Sequence, residues 1–511
     1  MDMKKLIYHI TCAICVICGV TACGYEIPTK FSESNELPNI YPDYANVTVP
    51  INIAPLTFKI DGKADGMVAR LTAGKEEFIY GGNKIQPKTD DWRRLAESVK
   101  GDAIQVEVYV EKNNHWTRFK PFNIYVSPDS IDPYISYRLI SPSYVTYEEL
   151  TINQRCLENY DESVIYDNML CSEGAKGQCI NCHNYQQYDP NRMQFHARQN
   201  LGGTIIAYDG TIQKINMRHD SILSAGVYPT WHPWLKLIVY STNDTGQIFH
   251  SLDPNKIEVF DTESDLIIYD VEKNEVRNIE NDPTELECFP FWAPDGKTLY
   301  YCSAHFEYKD TIGKGQELIT RIEELKYNLY KKSFNPETLQ FGPRELVFAA
   351  DSLTSHPSPL TSKSATLPRI SPDGRYLMFT LAKYGVFHIW HHDADLWLLD
   401  LQTGDVRNME EINSPDTESY HSWSSNGRWV VFSSRRYDGN YTRPFIAHID
   451  NNGHSSKPFE LPCEDPDYHR QFLKCYNVPE FMRGPVTTSP QQFADAMKQE
   501  AKNIKYEGVS K

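Results

Sequence analysis

Four segments in the second half of the chain repeat one pattern: an aromatic or apolar residue, a small polar turn, then an apolar strand. They begin at Trp231, Trp292, Ile370 and Trp423. In three of them the turn is Asp295-Gly296, Asp373-Gly374 or Asn426-Gly427, dipeptides that reach the positive φ of a tight hairpin. The strand behind each turn is almost continuously apolar, as in Tyr376-Leu377-Met378-Phe379, and needs cover on both faces. Further strands follow at 265–270 and 395–400, each running into a polar turn. One hairpin with its flanking strands cannot bury both faces of its own sheet, so such units must stack radially. The repeats therefore predict a propeller over residues 201–460. About six blades are expected, with five to seven compatible with the uneven spacing. Segments 203–208 and 445–450 are expected to supply the remaining strands, with 137–140 a candidate to close the ring.

The run Trp292-Ala293-Pro294-Asp295-Gly296-Lys297 resembles the repeats of TolB-type β-propellers, and the likeness extends over about residues 202–460. Upstream, the alternation in Ala103-Ile104-Gln105-Val106-Glu107-Val108-Tyr109-Val110 predicts strands, and 46–127 reads as a small Ig-like β-sandwich with one helix near 91–99. At 511 residues the chain exceeds one ordinary core, and 32 Tyr and 9 Trp suit many cross-strand pairs. A formal net charge of −17 argues against nucleic acid, whose phosphates demand a basic partner. After the propeller, 461–511 reads as an extension whose helix opens at Ser489-Pro490 and runs to about Ile504.

Lys4 and Lys5 precede an apolar run from Leu6 to Val20, too short for a comfortable membrane span. Residues 1–22 therefore read as an export signal. Val20-Thr21-Ala22-Cys23 resembles a lipobox, which implies acylation of Cys23, a tether over 23–45, and placement in the cell envelope at a membrane. Of 12 cysteines, eight lie beyond Cys23, an even count suited to an oxidising compartment. Besides Cys179 and Cys182, neighbours suggest pairs Cys156/Cys171, Cys288/Cys302 and Cys463/Cys475, although sequence does not fix connectivity.

Cys179-Ile180-Asn181-Cys182-His183 spells the attachment signature of a c-type haem: two thiols for thioethers and an adjacent imidazole for the iron. Segment 128–200 is thus expected to bind one covalent haem c. A helix begun by Asp189 and Pro190 would carry Met193 and His196 on one face, either as the second axial ligand. The alternatives for the two cysteines are a plain disulfide or, with Cys156 and Cys171, a zinc site. A second cluster, His388, His391, His392, Asp393 and Asp395, offers imidazoles and carboxylates for a divalent metal.

The stretch Cys179–Tyr185 through Met193, His196 and Gly202-Gly203-Thr204, with Asn477-Val478-Pro479-Glu480-Phe481, is similar to exported lipoproteins of the Bacteroidetes type that join a TolB-like propeller to one haem motif. The resulting expectation is a mainly β, membrane-anchored haem lipoprotein that transfers single electrons to an unidentified protein partner docked on the propeller. The alternatives are a propeller scaffold with structural or sensory haem, or only a disulfide, and a peroxidase-like or propeller-based enzyme. No G-x-S-x-G elbow supports a hydrolase.

Overall fold

The computed structural model describes residues 24–142, 149–172, 178–309, 313–352 and 362–508; the expected signal segment and Cys23 lie outside the described residues. No helix among the described residues is long and apolar enough to cross a membrane. The chain divides into two compact units, one of Met1–Asn46, Pro55–Val126 and Glu464–Pro466, the other of Val47–Ala54, Ser127–Cys463 and Asp467–Lys511.

In the first unit, strand Gly66–Ala73 pairs antiparallel with Glu76–Gly82 on one side and Ala103–Lys112 on the other. Ala103–Lys112 in turn pairs with His115–Arg118 and Phe122–Ser127. Its alternation puts Ile104, Val106 and Val108 inside, as the sequence predicts. Helix Thr89–Ser98 buries Trp92, Leu95 and Ala96 and packs on Gly66–Ala73 and Glu76–Gly82. The Ser98 hydroxyl ties its end to the Ala73 carbonyl at 3.0 Å. Only a two-stranded ladder, Ile40–Tyr41 with Lys59–Ile60, accompanies this sheet among the unit's described residues. The unit's described strands thus form one main sheet with a helix packed against it.

The second unit is a succession of antiparallel sheets in a propeller-like arrangement. Sheet 1 runs Cys179–Tyr185, Arg192–Arg198, Gly203–Tyr208, Thr211–Asn216. Sheet 2 runs Val227–Trp231, Leu237–Phe249, Ile257–Asp270, Glu275–Glu280. Sheet 3 runs Glu285–Trp292, Thr298–His305, Asn328–Asn335, Gln340–Phe348, bridged once to sheet 2 through Ser264 and Leu286. Sheet 4 runs Ser364–Ile370, Tyr376–Ala382, Asp395–Asp400, Val406–Asn408, and sheet 5 runs Glu418–Trp423, Trp429–Ser434, Arg443–His448, Phe459–Glu460. Sheet 6 is composite: the late strand Cys475–Met482 pairs with the early Tyr134–Ile140, followed by Thr151–Cys156 and Glu162–Asp167. The first strands neighbour one another from sheet 1 to sheet 5. Cys475–Met482 then lies beside both Glu418–Trp423 and Cys179–Tyr185, so 134–140 takes part in closure.

Apolar wedges fill the spaces between neighbouring sheets. Ile206 and Ile215 of sheet 1 meet Ile238 and Tyr240 of sheet 2, Leu237 meets Trp292 and Leu299, and Met378 and Leu398 of sheet 4 meet Val430 and Phe432 of sheet 5. Each such side chain contributes about 1.5–3 kcal/mol by leaving water. The hairpin turns follow one chemistry. Gly296, Gly374 and Gly427 adopt φ of 56°, 76° and 69°, and Asp295, Asp373 and Asn426 each accept a backbone N–H two residues on.

Two elements differ from the sequence reading. Residues 192–198 form a strand instead of a helix, because the segment lies between two sheet partners and is buried from Met193 to Ala197. The tail helix spans Pro490–Met497, with its Ser489–Gln492 capping box, and packs Phe493 and Met497 between sheets 1 and 6. Beyond it, Lys502–Asn503 and Lys505–Tyr506 add in parallel to sheets 1 and 2. Residues 128–200, 461–463 and the segment from Asp467 onward thus belong to the same unit as the repeats.

Candidate functional site

Each of the six first strands carries a bulge at one equivalent place. At each bulge one residue is left-handed: Cys182, Tyr228, Phe289, Leu367, Tyr420 and Val478, with φ between 47° and 58°. For a non-glycine residue this conformation costs about 1 kcal/mol, and strain of this kind clusters at functional sites. The following position is Pro229, Pro290, Pro368 or Pro479 in four strands and His183 or His421 in two. A proline lacks the N–H that a bulge leaves out of the ladder.

These bulges line a central channel in two tiers. The six left-handed residues line a narrow space of about 40 Å³ together with His183, Pro229, Pro290 and Pro368. Two positions further along each strand come Asn184, Thr230, Phe291, Arg369, Ser422 and Glu480, which line an adjoining space of about 90 Å³ with Trp231, Trp292 and Trp423. Arg369 and Glu480 border both spaces.

The charges of the channel are few. Asn184 donates to Glu480 at 2.8 Å. Burial raises the Glu480 carboxyl to about 7, against the pull of Arg369 and Asn184. Arg369 stacks on Phe291 at 4.7 Å, and among the described residues its guanidinium makes no ion pair. Burial lowers its pKa, Glu480 opposing, yet it stays charged. His183 is 1 % exposed, and neither ring nitrogen makes a hydrogen bond of good geometry. Burial first, then Arg138, lowers it to about 3 against the Val478 backbone, so the ring is neutral at pH 7. His421 differs: its Nε2 lies 3.0 Å from the Met378 carbonyl.

No family model and no curated protein sequence matches the chain. Among solved structures it is similar to TolB from Acinetobacter baumannii at 13 % identity, covering 77 % of this chain and 85 % of that one with a TM-score of 0.42. It is also similar to an oligogalacturonate lyase in complex with manganese at 12 %, covering 82 % and 99 % with a TM-score of 0.30. A prolyl oligopeptidase B from Galerina marginata is similar at 10 %, covering 83 % and 54 % with a TM-score of 0.34. The propeller-like arrangement rests on the chain's own sheet order and ring of bulges.

The haem motif lies on the first strand of sheet 1. Cys182 and His183 line the channel, whereas Cys179 packs toward the core between sheets 1 and 6. His183 thus fits an iron ligand and Cys182 a channel-facing thioether; Cys179 does not share their surroundings. Met193 is buried in that same core, and His196 lies 3.1 Å from the Thr204 hydroxyl, so neither lines the channel. Three residues apart on a strand, they take opposite faces.

The expected metal cluster is dispersed. His388 contacts Thr366 and the Gly385 carbonyl at 2.9 and 3.0 Å, His391 pairs with Glu258 at 3.1 Å, and His392 contacts Asp416 and the Pro254 carbonyl at 3.0 and 2.8 Å. Asp393 accepts from the Lys383 backbone and Asp395 from Asn408. No group of three or more metal-ligating side chains occurs among the described residues. The eight described cysteines are all unbonded; Cys288 and Cys302 are cross-strand neighbours, and the other two expected pairs are not bonded either.

The sequence carried a sign of the channel that composition and hairpin patterns passed over. Three residues before the aromatic of each repeat stands the left-handed residue, followed by Pro or His: Tyr228-Pro229-x-Trp231, Phe289-Pro290-x-Trp292, Tyr420-His421-x-Trp423, Val478-Pro479-x-Phe481. Cys182-His183-x-Tyr185 is the same pattern in sheet 1.

Proposed function

We propose that the second unit is a six-bladed propeller whose channel binds a small organic anion, with its anionic group at Arg369 and its apolar body against Tyr228, Phe289, Leu367 and Tyr420. The observation that carries this reading is the half-buried Arg369 guanidinium, which makes no ion pair among the described residues, in a channel whose opposite tier is mainly apolar. A bound carboxylate would pair with this half-buried cation through a charge-assisted hydrogen bond. Calorimetric titration with a panel of aromatic and aliphatic monocarboxylates tests it. At least one is expected to bind, and Arg369→Gln to weaken it at least about tenfold, the equivalent of 1.4 kcal/mol. Equal binding by parent and variant would sink the reading.

A second reading is a haem held at the channel by His183 and Cys182, which would supply one-electron transfer. The neutral imidazole, whose ring nitrogens make no hydrogen bond of good geometry, beside a channel-facing thiol supports it, and the place of Cys179 opposes it. The pyridine haemochrome spectrum of protein made with a c-haem maturation system, beside a Cys182→Ala variant, decides: a covalent haem lost in the variant favours it, and none in the parent removes it. The lipobox reading at Cys23 is a further proposal, checked by metabolic palmitate labelling of the parent and of Cys23→Ala; equal labelling of both would refute it.

A further inference from the structure

Away from the channel, a second constellation gathers behind sheets 5 and 6. Glu460 ends the last strand of sheet 5, Cys463 follows three residues later, and His469 sits in the short helix Tyr468–Gln471. The Cys463 sulfur lies 3.5 Å from His469 Nε2, and His469 Nδ1 lies 2.5 Å from Glu460 Oε1. Tyr437 donates to the other Glu460 oxygen at 2.7 Å. From Thr151–Cys156 of sheet 6, Arg155 Nη1 reaches the same sulfur at 3.5 Å, while its other terminal nitrogen binds the Pro462 carbonyl. The order is nucleophile, base, carboxylate that orients the base, with a fixed cation on the sulfur.

We propose that Cys463 is a nucleophilic thiolate, paired with the His469 imidazolium, that forms mixed disulfides with low-molecular-mass disulfides. The sulfur attacks one sulfur of the small disulfide, the new S–S bond forms as the old one breaks, and the departing thiolate takes the proton from His469. No external oxidant is needed. Cys463 is 8 % exposed, which restricts the reaction to small reagents.

The electrostatics agree with the geometry. Burial alone would raise the Cys463 thiol, but His469 and Arg155 bring it below its ordinary value. Burial would lower His469, but Cys463 and Glu460 hold it up at about 9. Tyr137, Tyr468 and Tyr476 also face the sulfur and stay neutral, because burial raises each of them. Elsewhere Cys182, Cys288 and Cys302 are raised by burial, so they are poor competitors at acidic pH.

The test treats the intact native protein with 2-hydroxyethyl disulfide at about pH 6 and maps adducts by peptide mass spectrometry. The Cys463 peptide is expected to be modified at least about tenfold faster than those of Cys288 and Cys302. His469→Gln should slow the Cys463 reaction about tenfold at that pH and much less near pH 9. Should that variant unfold, Glu460→Gln gives a milder loss in the same direction. Modification of Cys463 only after denaturation, or a folded His469→Gln protein with unchanged rates, would overturn the proposal.

Discussion

Glu480 shows how burial at one position becomes a property of the whole protein. Its carboxyl is held at about 7 in the native state against an ordinary 4.5, so between those values the folded protein binds a proton that the unfolded chain has lost. Stability must therefore fall as pH rises through that window, by up to about 3 kcal/mol at 1.36 kcal/mol per unit. Glu480→Gln keeps an acceptor for Asn184 and removes the charge. Its expected effect is small at about pH 4 and a gain of about 2 kcal/mol at pH 8, read from urea unfolding at both values. An equal shift at the two values would mean that the carboxyl titrates normally. Glu480 was present in the sequence only as part of a resemblance, and Arg369 carried no signal of its own. Both matter because they follow a bulge, and a bulge becomes visible only when all six strands are aligned on Pro or His.

Among the elements, the first strand of sheet 1 carries two patterns at once. Cys179–His183 satisfied a cofactor signature, yet its last two residues also occupy the slot that the other strands fill with Tyr-Pro, Phe-Pro, Leu-Pro, Val-Pro or Tyr-His. Proline is tolerated at this slot in four strands, so His183→Pro is expected to fold with a Tm within about 2 °C of the parent, equivalent to roughly 2 kcal/mol or less in a unit of this size. Thermal unfolding followed by circular dichroism reads it, and a loss well beyond that would show that His183 has a structural role the ring does not predict. The strand at 192–198 was misread for a related reason. Capping signals at Asp189 and Pro190 are local, whereas its all-round burial comes from two flanking strands that no local pattern announces. The three Asp-Gly or Asn-Gly turns were legible because their requirement for positive φ is met within two residues.

At the scale of the molecule, closure depends on contacts that span most of the chain. Sheet 6 joins Cys475–Met482 to Tyr134–Ile140, and the tail helix lays Phe493 and Met497 into the core that this sheet shares with sheet 1. The hairpin repeats were readable from sequence because each is local; the closing sheet offered only a candidate at 137–140, since its partner strand lies more than 300 residues away. Pairing so remote is slow to form but, once made, covers the open edges of two sheets. Two truncations separate its parts. Ending the chain after Gln499 removes the parallel additions Lys502–Asn503 and Lys505–Tyr506 together with Ile504, which is buried between sheets 1 and 2, and a Tm lower by a few degrees is expected. Ending it after Lys474 removes the first strand of sheet 6 and the helix beneath it, exposing Tyr134–Ile140 and the face of Cys179–Tyr185. That protein is expected to unfold over a broader temperature range than the longer form and to aggregate through the unpaired edges, as size-exclusion chromatography and calorimetry would register. If it stayed monomeric and unfolded as sharply as the longer form, the remaining sheets would form a stable open arc, and closure would serve only to complete the channel.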